Sequence, residues 1–330
     1  MLNQTERGVE YMARLAAFLQ AEYGKNALAL QPAKRGFYGE TWQLDTSGGS
    51  YFVKIVASAS HKRLYARSFP VLAQLNQHGV DCVSKIVPTA SGALFAHFDG
   101  AIVGVFDWID GENIQDERTK LAEYQMLARA YAVPTTGLAL PHEMFEAESL
   151  RLFYRQWQDL KQQPSHPGSQ ALLNLLDCHE NRFEALSERL LALSAHCKGD
   201  IFPQFITHGD AGGNVIIGEN RFHLVDWDDP LLAPPERDAW FCLHWPWAMD
   251  AFHEALRTQG IDYRLRPERL AYYCSHAYFW YLTKYLDAFS ESGDASGELF
   301  AEIADYVPNS WVHENIAFAE REICSELLFL

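Results

Sequence analysis

The sequence predicts an α+β fold in which a small antiparallel sheet is followed by a longer, mainly helical part. Between residues 28 and 108, short runs of β-branched and aromatic residues alternate with glycines, which is typical of hairpins. After Asp110-Gly111, apolar residues recur at helical spacing in long segments. Residues 206–226 interrupt this helical pattern with the pattern of one more hairpin. We therefore expect one sheet near the N-terminus and a separate hairpin within the helical part.

The individual elements are predicted in chain order from the same periodicities. An amphipathic helix is expected at residues 8–23. The sheet is expected to contain strands at 37–44, 51–56, 93–98 and 101–108, with a helix at 64–77 inserted after its second or third strand. Pro70 should lie near the start of that helix or mark a kink. Later helices are predicted at 117–131, 144–161, 169–197, 248–258, 266–289 and 311–328. We expect a first domain at residues 1–105 and a second at 106–330.

Composition excludes several functional classes. The formal net charge of −16 argues against nucleic-acid binding, which needs a basic surface. No apolar stretch is long enough to span a membrane, and the N-terminus lacks the charged-then-apolar pattern of an export signal. The six cysteines are scattered without a C-x-x-C pair, which favours reduced thiols. We therefore expect a cytoplasmic protein with no membrane or nucleic-acid partner, and nothing indicates an obligate protein partner.

The hairpin at residues 206–226 carries side chains that suit a metal ion and a general base. Its two strands would bring Asp210 and Asp226 to the same end, together with the carboxamide of Asn214. One or two carboxylates with waters and substrate phosphates are the usual ligands of Mg²⁺. Phosphoryl transfer also needs a carboxylate that orients the attacking hydroxyl and accepts its proton. This pattern predicts Asp210 as the base and Asn214 with Asp226 as metal ligands.

Each of these residues also has a purely structural interpretation. An Asp that follows a Gly is more often a turn residue or a helix N-cap than a catalytic group. His208 is expected to be a buried scaffold residue that donates to the backbone, and Trp227 is expected to pack in the core. The order of His-Gly-Asp, a spaced Asn, a hairpin and Asp-Trp-Asp favours the functional interpretation.

The motifs His208-Gly209-Asp210 and Asp226-Trp227-Asp228, with Asn214 between them, resemble those of the aminoglycoside phosphotransferase family. Residues 224–238 particularly resemble the corresponding stretch of spectinomycin phosphotransferases. The resemblance implies a bilobal protein-kinase-like fold, with a small antiparallel-sheet N-lobe and a larger, mainly helical C-lobe. It also implies a small-molecule kinase that uses ATP (or GTP) and Mg²⁺ and phosphorylates a hydroxyl group.

The resemblance assigns further residues to the nucleotide and to the support of the site. Lys54 would contact the phosphates beneath a glycine-containing loop, and the segment after residue 105 would meet the adenine. The nucleotide-binding residues that it implies are Lys54, Gly36, Gly39, Phe106, Trp108, Ile216 and Val225. The supporting residues that it implies are His208, Arg237 and Asp238.

Two features depart from the family pattern. The family usually places the Asn five residues after the catalytic Asp, whereas Asn214 follows Asp210 by four. Kinases also pair the strand lysine with a glutamate of the following helix, but the sequence has no acidic residue between Lys54 and Asp81. Lys54 would then be oriented by phosphate alone, by water, or by a residue from elsewhere.

The acceptor is less well defined by the sequence. The acidic remainder of the chain suits a cationic acceptor such as spectinomycin or another aminoglycoside-like antibiotic. Asp228, Asp229 and Trp245 are the candidate acceptor-binding residues, although aromatic residues beside a helix are more often part of the core. A metabolite kinase for an amino alcohol or sugar, and a non-catalytic nucleotide-binding pseudokinase, remain alternatives.

Overall fold

A computed structural model describes residues 7–33, 39–162, 168–219, 221–241, 245–292 and 297–327. The chain divides into two compact units, each built from several segments. The first unit comprises Met1–His142, Gln204–Ala233 and Glu254–Asp262, and the second comprises Glu143–Pro203, Pro234–His253 and Tyr263–Leu330. The expected domain boundary between residues 105 and 106 stays a prediction.

The first unit contains a five-stranded antiparallel sheet. Its strands are β1 (Ala29–Pro32), β2 (Glu40–Thr46), β3 (Gly49–Val56), β4 (Ala96–Phe98) and β5 (Ala101–Asp107). Their order across the sheet is β1-β2-β3-β5-β4. The central strand β3 carries Lys54, which lies opposite Thr41 of β2 and Gly104 of β5. Because β3 is central, the side chain of Lys54 starts from a rigid position.

Two helices accompany this sheet, α1 (Val9–Tyr23) and α2 (Ala59–Gln77). Leu19 of α1 is fully buried in one core with Trp42 and Val103 of the sheet. The hydroxyl of Tyr23 donates a 2.7 Å hydrogen bond to the carbonyl of Val103. α2 connects β3 to β4 and begins earlier than predicted, so that Pro70 lies well inside the helix rather than near its start. The strands predicted from the sequence are present with shifted ends.

The remainder of the first unit holds the predicted hairpin. Its elements are β6 (Gly111–Glu112), α3 (Glu117–Tyr131), β7 (Phe205–Thr207), β8 (Val215–Gly218), β9 (Phe222–Leu224) and β10 (Leu231–Ala233). β8 and β9 form the hairpin, β6 pairs with β8, and β7 pairs with β10, all antiparallel. α3 has the predicted bounds, and its start is fixed by a reciprocal capping box of Asp116 and Thr119, with two hydrogen bonds of 2.9 Å.

The second unit is helical. Its helices are α4 (Glu148–Gln162), α5 (Ser169–Cys178), α6 (Glu180–Lys198), α7 (Glu236–Ala239), α9 (Pro267–Ser292), α10 (Glu298–Asn309) and α11 (Val312–Leu327), and α8 (Ala248–Thr258) contributes to both units. Phe153 of α4 packs against Phe183 of α6 and Phe279 of α9, with ring centroids 4.9 and 5.4 Å away. The prediction of one helix at 169–197 was wrong, because the backbone leaves the helix at His179. No helix among the described residues is long and apolar enough to cross a membrane.

Candidate active site

Lys54 and two carboxylates lie together in the first unit. The side chain of Lys54 is only 7% exposed, and its Nζ donates a 2.6 Å hydrogen bond to Oδ1 of Asp226. The same Nζ also donates to Oδ2 of Asp228. The carboxylates are more accessible than the lysine, with side chains 39% and 29% exposed. A buried ammonium group thus meets two carboxylates that solvent can still reach.

The charge of Lys54 stabilises both carboxylates, which in turn repel each other. Burial alone would lower the pKa of Lys54, but Asp226 and Asp228 outweigh burial and leave that pKa raised. Burial would raise the pKa of Asp226, yet the charge and hydrogen bond of Lys54 leave it below its ordinary value. Burial, aided by the charge of Asp226, raises the pKa of Asp228 to about 6. At neutral pH the group therefore consists of an ammonium ion and two carboxylates.

The backbone of residues 226–228 explains why both carboxylates meet Lys54. Asp226 has a left-handed conformation (φ 65°), which Asp adopts more readily than most residues. The amide of Asp228 donates to the carbonyl of Asp226 at 2.8 Å and closes a tight turn. Trp227, between them, is buried and donates from Nε1 to the carbonyl of Leu224 at 3.1 Å. The anchored indole fixes the turn from which the two acids project.

His208 links the Asp210 loop to the strand that leads into Asp226. The amide of Asp210 donates to Nδ1 of His208 at 3.2 Å, and Nε2 lies 2.9 Å from the carbonyl of Val225. Because Nδ1 accepts and the carbonyl can only accept, the ring proton belongs on Nε2. The fully buried imidazole also packs against Trp227, with centroids 4.7 Å apart. These contacts use both ring nitrogens and place His208 in the scaffold of the site.

Asp210 and Asn214 form one compact loop. Nδ2 of Asn214 donates to the carbonyl of Asp210 at 2.6 Å and lies 3.5 Å from Oδ2 of the same residue. The amide of Asn214 donates to the carbonyl of Ala211 at 3.1 Å, while its carbonyl accepts from Val225 at 2.9 Å. Gly213 has a φ of 97°, a conformation that favours glycine. The four-residue spacing is thus accommodated by a tight turn, and Asp210 itself is exposed.

The donor set fits a magnesium ion that also binds substrate phosphates. Across the described ranges, no three or more His, Cys, Asp or Glu side chains are arranged to hold a metal ion. Mg²⁺, however, commonly uses one or two carboxylates together with phosphate and water. Asp226 offers carboxylate oxygens and Asn214 offers a carboxamide oxygen. The backbone of the two residues is linked because the amide of Val225, which precedes Asp226, donates to the carbonyl of Asn214. Their role as metal ligands stays a prediction.

The predicted adenine-binding segment lies at the end of β5. Phe106 is buried, and its ring stacks on Phe69 of α2 at 5.9 Å. The amide of Trp108 donates to the carbonyl of Ser50 at 3.2 Å, which ties this segment to β3. Ile216 lies in the middle of β8, opposite His223 of β9. The sequence-predicted residues Phe106, Trp108 and Ile216 therefore all belong to the first unit, as does Val225.

Of the two loop glycines, Gly39 is described and Gly36 lies outside the described residues. Gly39 has a φ of 98°, and a Cβ there would collide with the carbonyl of Ile55. A glycine is therefore required where the loop enters β2 beside β3. This is a backbone requirement, so contact of Gly39 with a nucleotide stays a prediction.

The residues predicted to bind the acceptor or to support the site are divided between the units. Asp229 is exposed and follows the Asp226–Asp228 turn in the first unit. Trp245, Arg237 and Asp238 belong to the second unit, where Asp238 is buried on α7 and the ring of Trp245 lies 5.4 Å from that of Trp247. The acceptor and support roles of these residues stay predictions.

Sequence reasoning missed Tyr65 and Gly104. Tyr65 of α2 is 3% exposed, and its ring centroid lies 5.5 Å from Nζ of Lys54. A Cβ at Gly104 would lie 2.5 Å from the hydroxyl of Tyr65 and 2.6 Å from Cζ of Phe69. Gly104 itself was a signal in the sequence, because an isolated glycine within an apolar strand often marks a place where another part of the protein approaches the backbone closely.

Several known proteins resemble this chain. The model of the family described as "Phosphotransferase enzyme family" matches residues 29–273, whereas no curated protein is significantly similar in sequence. A spectinomycin phosphotransferase in complex with ADP and spectinomycin is 18% identical, covers 93% of this chain and 98% of its own, and has a TM-score of 0.76. A microcompartment-associated aminopropanol kinase is 16% identical, with coverages of 95% and 97% and a TM-score of 0.60. A choline kinase from Streptococcus pneumoniae is 15% identical, with coverages of 93% and 98% and a TM-score of 0.53. The predicted kinase-like α+β fold class is confirmed.

Proposed function

The chain belongs to the phosphotransferase enzyme family and is a small-molecule phosphotransferase, and from this premise we propose a more specific activity. It transfers the γ-phosphoryl group of ATP, with Mg²⁺, to a hydroxyl group of a small cationic molecule. The observation that carries the proposal is the hydrogen bonding of the buried Lys54 to Asp226 and Asp228, in the unit that also holds Asp210. A lysine and carboxylates of this kind are the parts that phosphoryl transfer requires.

In the proposed reaction, Asp210 is the base. The acceptor hydroxyl oxygen attacks the γ-phosphorus as its proton passes to the Asp210 carboxylate, and the bond to the bridging oxygen of ADP breaks. The ammonium group of Lys54 stabilises the negative charge on the phosphate oxygens. Asn214 and Asp226 would hold Mg²⁺, which would supply further neutralisation of the phosphate charge. His208 keeps the Asp210 loop in place through the amide of Asp210.

The nucleotide is proposed to bind on the first unit. The backbone of residues 106–109, which include Phe106 and Trp108, would meet its base, and Ile216 and Val225 would pack under the base. The loop that contains Gly36 and Gly39 would cover the phosphates. ADP is present in one related structure, which supports a nucleotide substrate, and GTP is the alternative to ATP.

We propose a spectinomycin-like aminocyclitol as the leading acceptor class, so that the enzyme would act in antibiotic resistance. The support is the resemblance of residues 224–238 to spectinomycin phosphotransferases and the TM-score of 0.76 to one of them. The net charge of −16 suits a cationic acceptor. Asp229 is the proposed acceptor contact in the first unit, through ammonium–carboxylate pairing.

An amino alcohol is the second candidate acceptor. The similarity to an aminopropanol kinase and a choline kinase, both covering more than nine-tenths of this chain, favours it. Such acceptors share a hydroxyl and a positive charge with the aminocyclitols. The same catalytic residues would serve either class, so the acceptor pocket decides between them.

A panel screen tests the proposal. The purified protein is incubated with Mg²⁺ and ATP or GTP and with aminocyclitols, aminoglycosides and amino alcohols, and products are identified by mass spectrometry. We expect a phosphorylated aminocyclitol, and a loss of turnover of about 10²–10⁴-fold for Asp210→Ala with nucleotide binding retained. Nucleotide binding without any phosphorylated product across the panel would instead support a pseudokinase.

A further inference from the structure

The partner of the strand lysine differs from the usual kinase arrangement. In protein kinases the helix after the lysine strand supplies a glutamate. Here α2 follows β3, and neither α2 nor any residue between Lys54 and Asp81 is acidic. Lys54 is nevertheless 7% exposed, and a buried ammonium group needs anionic or hydrogen-bonding partners. Those partners must come from another part of the chain.

Helix α2 places an aromatic ring beside Nζ of Lys54. The ring of Tyr65 lies with its centroid 5.5 Å from Nζ of Lys54, within the range of a cation–π contact. The position opposite Lys54 on β5 is Gly104, where a Cβ would lie 2.5 Å from the Tyr65 hydroxyl and 2.6 Å from Phe69. The helix is thus packed against the sheet through two aromatic side chains in the space beside the lysine. The side chains that α2 places beside Lys54 are thus aromatic and not acidic.

The carboxylates come instead from the turn after β9. Nζ of Lys54 donates to both Asp226 and Asp228, and the buried Trp227 anchors the turn between them. The proposed function uses Asp226 as a metal ligand. The second carboxylate, Asp228, then remains beside Lys54 with no part in the metal site.

We propose that Asp228 is the positioning partner of Lys54, in the place of the helix glutamate, an inference that rests on the proposed function. Asp226 then serves the metal ion while Asp228 holds Nζ of Lys54 toward the nucleotide phosphates. The sequence had suggested an acceptor contact for Asp228. The geometry assigns its carboxylate to the nucleotide side of the reaction.

A double-mutant cycle tests the coupling. Binding of a non-hydrolysable ATP analogue with Mg²⁺ is measured by calorimetry for wild type, Lys54→Met, Asp228→Asn and the double variant. We expect Asp228→Asn to weaken binding by about 10- to 100-fold, as for loss of a charged hydrogen-bond partner. In the Lys54→Met background the same change should cost less than about threefold, because there is no ammonium group left to position.

Matched variants separate positioning from folding. Asp228→Glu keeps a carboxylate and should recover part of the lost affinity. Asp81→Asn removes an exposed carboxylate paired with Arg129 at 2.6 Å and should leave nucleotide binding unchanged. Thermal melting of each variant verifies that it is folded under the conditions of the titration.

The outcomes distinguish this inference from the function on which it rests. Equal losses from Asp228→Asn with and without Lys54 would overturn the inference alone. A raised KM for the acceptor, with unchanged nucleotide affinity, would return Asp228 to the acceptor site and would also overturn it. A wild-type protein that binds no nucleotide would overturn the proposed function and the inference together.

Discussion

Nε2 of His208 and the carbonyl of Val225 lie 2.9 Å apart, so that one buried ring joins the loop of the proposed base to the strand of the proposed metal ligand. Nδ1 of the same ring accepts from the amide of Asp210. Movement of either loop would break one of these hydrogen bonds of the fully buried ring. The relative placement of Asp210 and Asp226 therefore depends on His208.

Replacement of His208 by Ala should lower both stability and turnover. It removes the buried ring that the Val225 carbonyl and the Asp210 amide contact, which we expect to reduce the free energy of unfolding by about 2–4 kcal/mol. Urea denaturation measures that loss. His208→Asn, whose amide oxygen can still accept from Asp210, should be less damaging than His208→Ala. Equal stability of all three proteins would contradict a structural role for the ring.

Replacement of Gly104 by Ala should destabilise the first unit. The added methyl group would lie within 2.6 Å of Phe69 and still nearer the Tyr65 hydroxyl, so the helix or the strand must shift. We expect a loss of about 1–3 kcal/mol, the usual range for overpacking. Gly48→Ala is the control, since its nearest neighbour, the Thr46 hydroxyl, would be 3.8 Å away. The comparison uses midpoints of chemical denaturation, and a Gly104→Ala protein as stable as the control would be inconsistent with this packing.

The stability of the protein should depend on pH through Glu236. This residue is fully buried, accepts from Tyr263 at 2.8 Å and from the amide of Arg266 at 2.6 Å, and burial raises its pKa to about 6. A carboxyl group with a raised pKa binds its proton more tightly in the folded state than in the unfolded state. Its contribution to stability is therefore present below pH 4.5 and is lost as the pH rises to about 6.

The Glu236 contribution should amount to about 2 kcal/mol over this pH interval. Urea denaturation between pH 4 and 7, in wild type and in Glu236→Gln, isolates it as the difference between the two stability profiles. Glu236→Gln cannot ionise, so its profile should lack the decrease that Glu236 causes. Parallel profiles would show that Glu236 does not titrate in this range.

Removal of Mg²⁺ and replacement of Asp226 should weaken nucleotide binding in the same way. We expect Asp226→Asn to raise the Mg²⁺ concentration that supports half-maximal nucleotide binding by about tenfold or more. Wild type with a chelator should bind the nucleotide as weakly as the variant does. Asp210→Asn, which alters the proposed base and not the proposed metal ligand, should keep the wild-type Mg²⁺ dependence in the same titration. An unchanged dependence in Asp226→Asn would remove this residue from the metal site.

Local patterns predicted much of the fold. α3 and α8 have the bounds expected from the sequence, and the hairpin of β8 and β9 lies where alternating residues and Gly218 indicated it. The strands β1, β6, β7 and β10 were not predicted; each has only two to four residues, and the partners of β6, β7 and β10 are not their neighbours along the chain. The helices α7 and α10 were also not predicted; α7 has only four residues, and Pro308 in the last turn of α10 is a residue that ordinarily ends helices.

The candidate site could also be predicted only in part from the sequence. Asp210, Asn214 and Asp226 could be grouped from their spacing, since a hairpin is a local structure. The pairing of Lys54 with Asp226 and Asp228 joins positions more than 170 residues apart, and no periodicity in the sequence carries that information. The absence of an acidic residue after Lys54 was visible in the sequence, but its replacement required the folded chain.

The contact between Gly104 and Tyr65 has a consequence for the evolution of this lineage. Because the hydroxyl of Tyr65 and the ring of Phe69 fill the volume that a side chain at position 104 would need, position 104 cannot change independently of position 65. In homologous chains we expect glycine at the position of Gly104 to accompany a large aromatic residue at the position of Tyr65. Where an ordinary residue replaces the glycine, the aromatic should give way to a smaller side chain, and a helix glutamate becomes sterically possible. Covariation of these two positions among homologous sequences would then distinguish two groups of relatives. In one group a helix carboxylate would pair with the strand lysine, and in the other a carboxylate of the turn after β9 would do so.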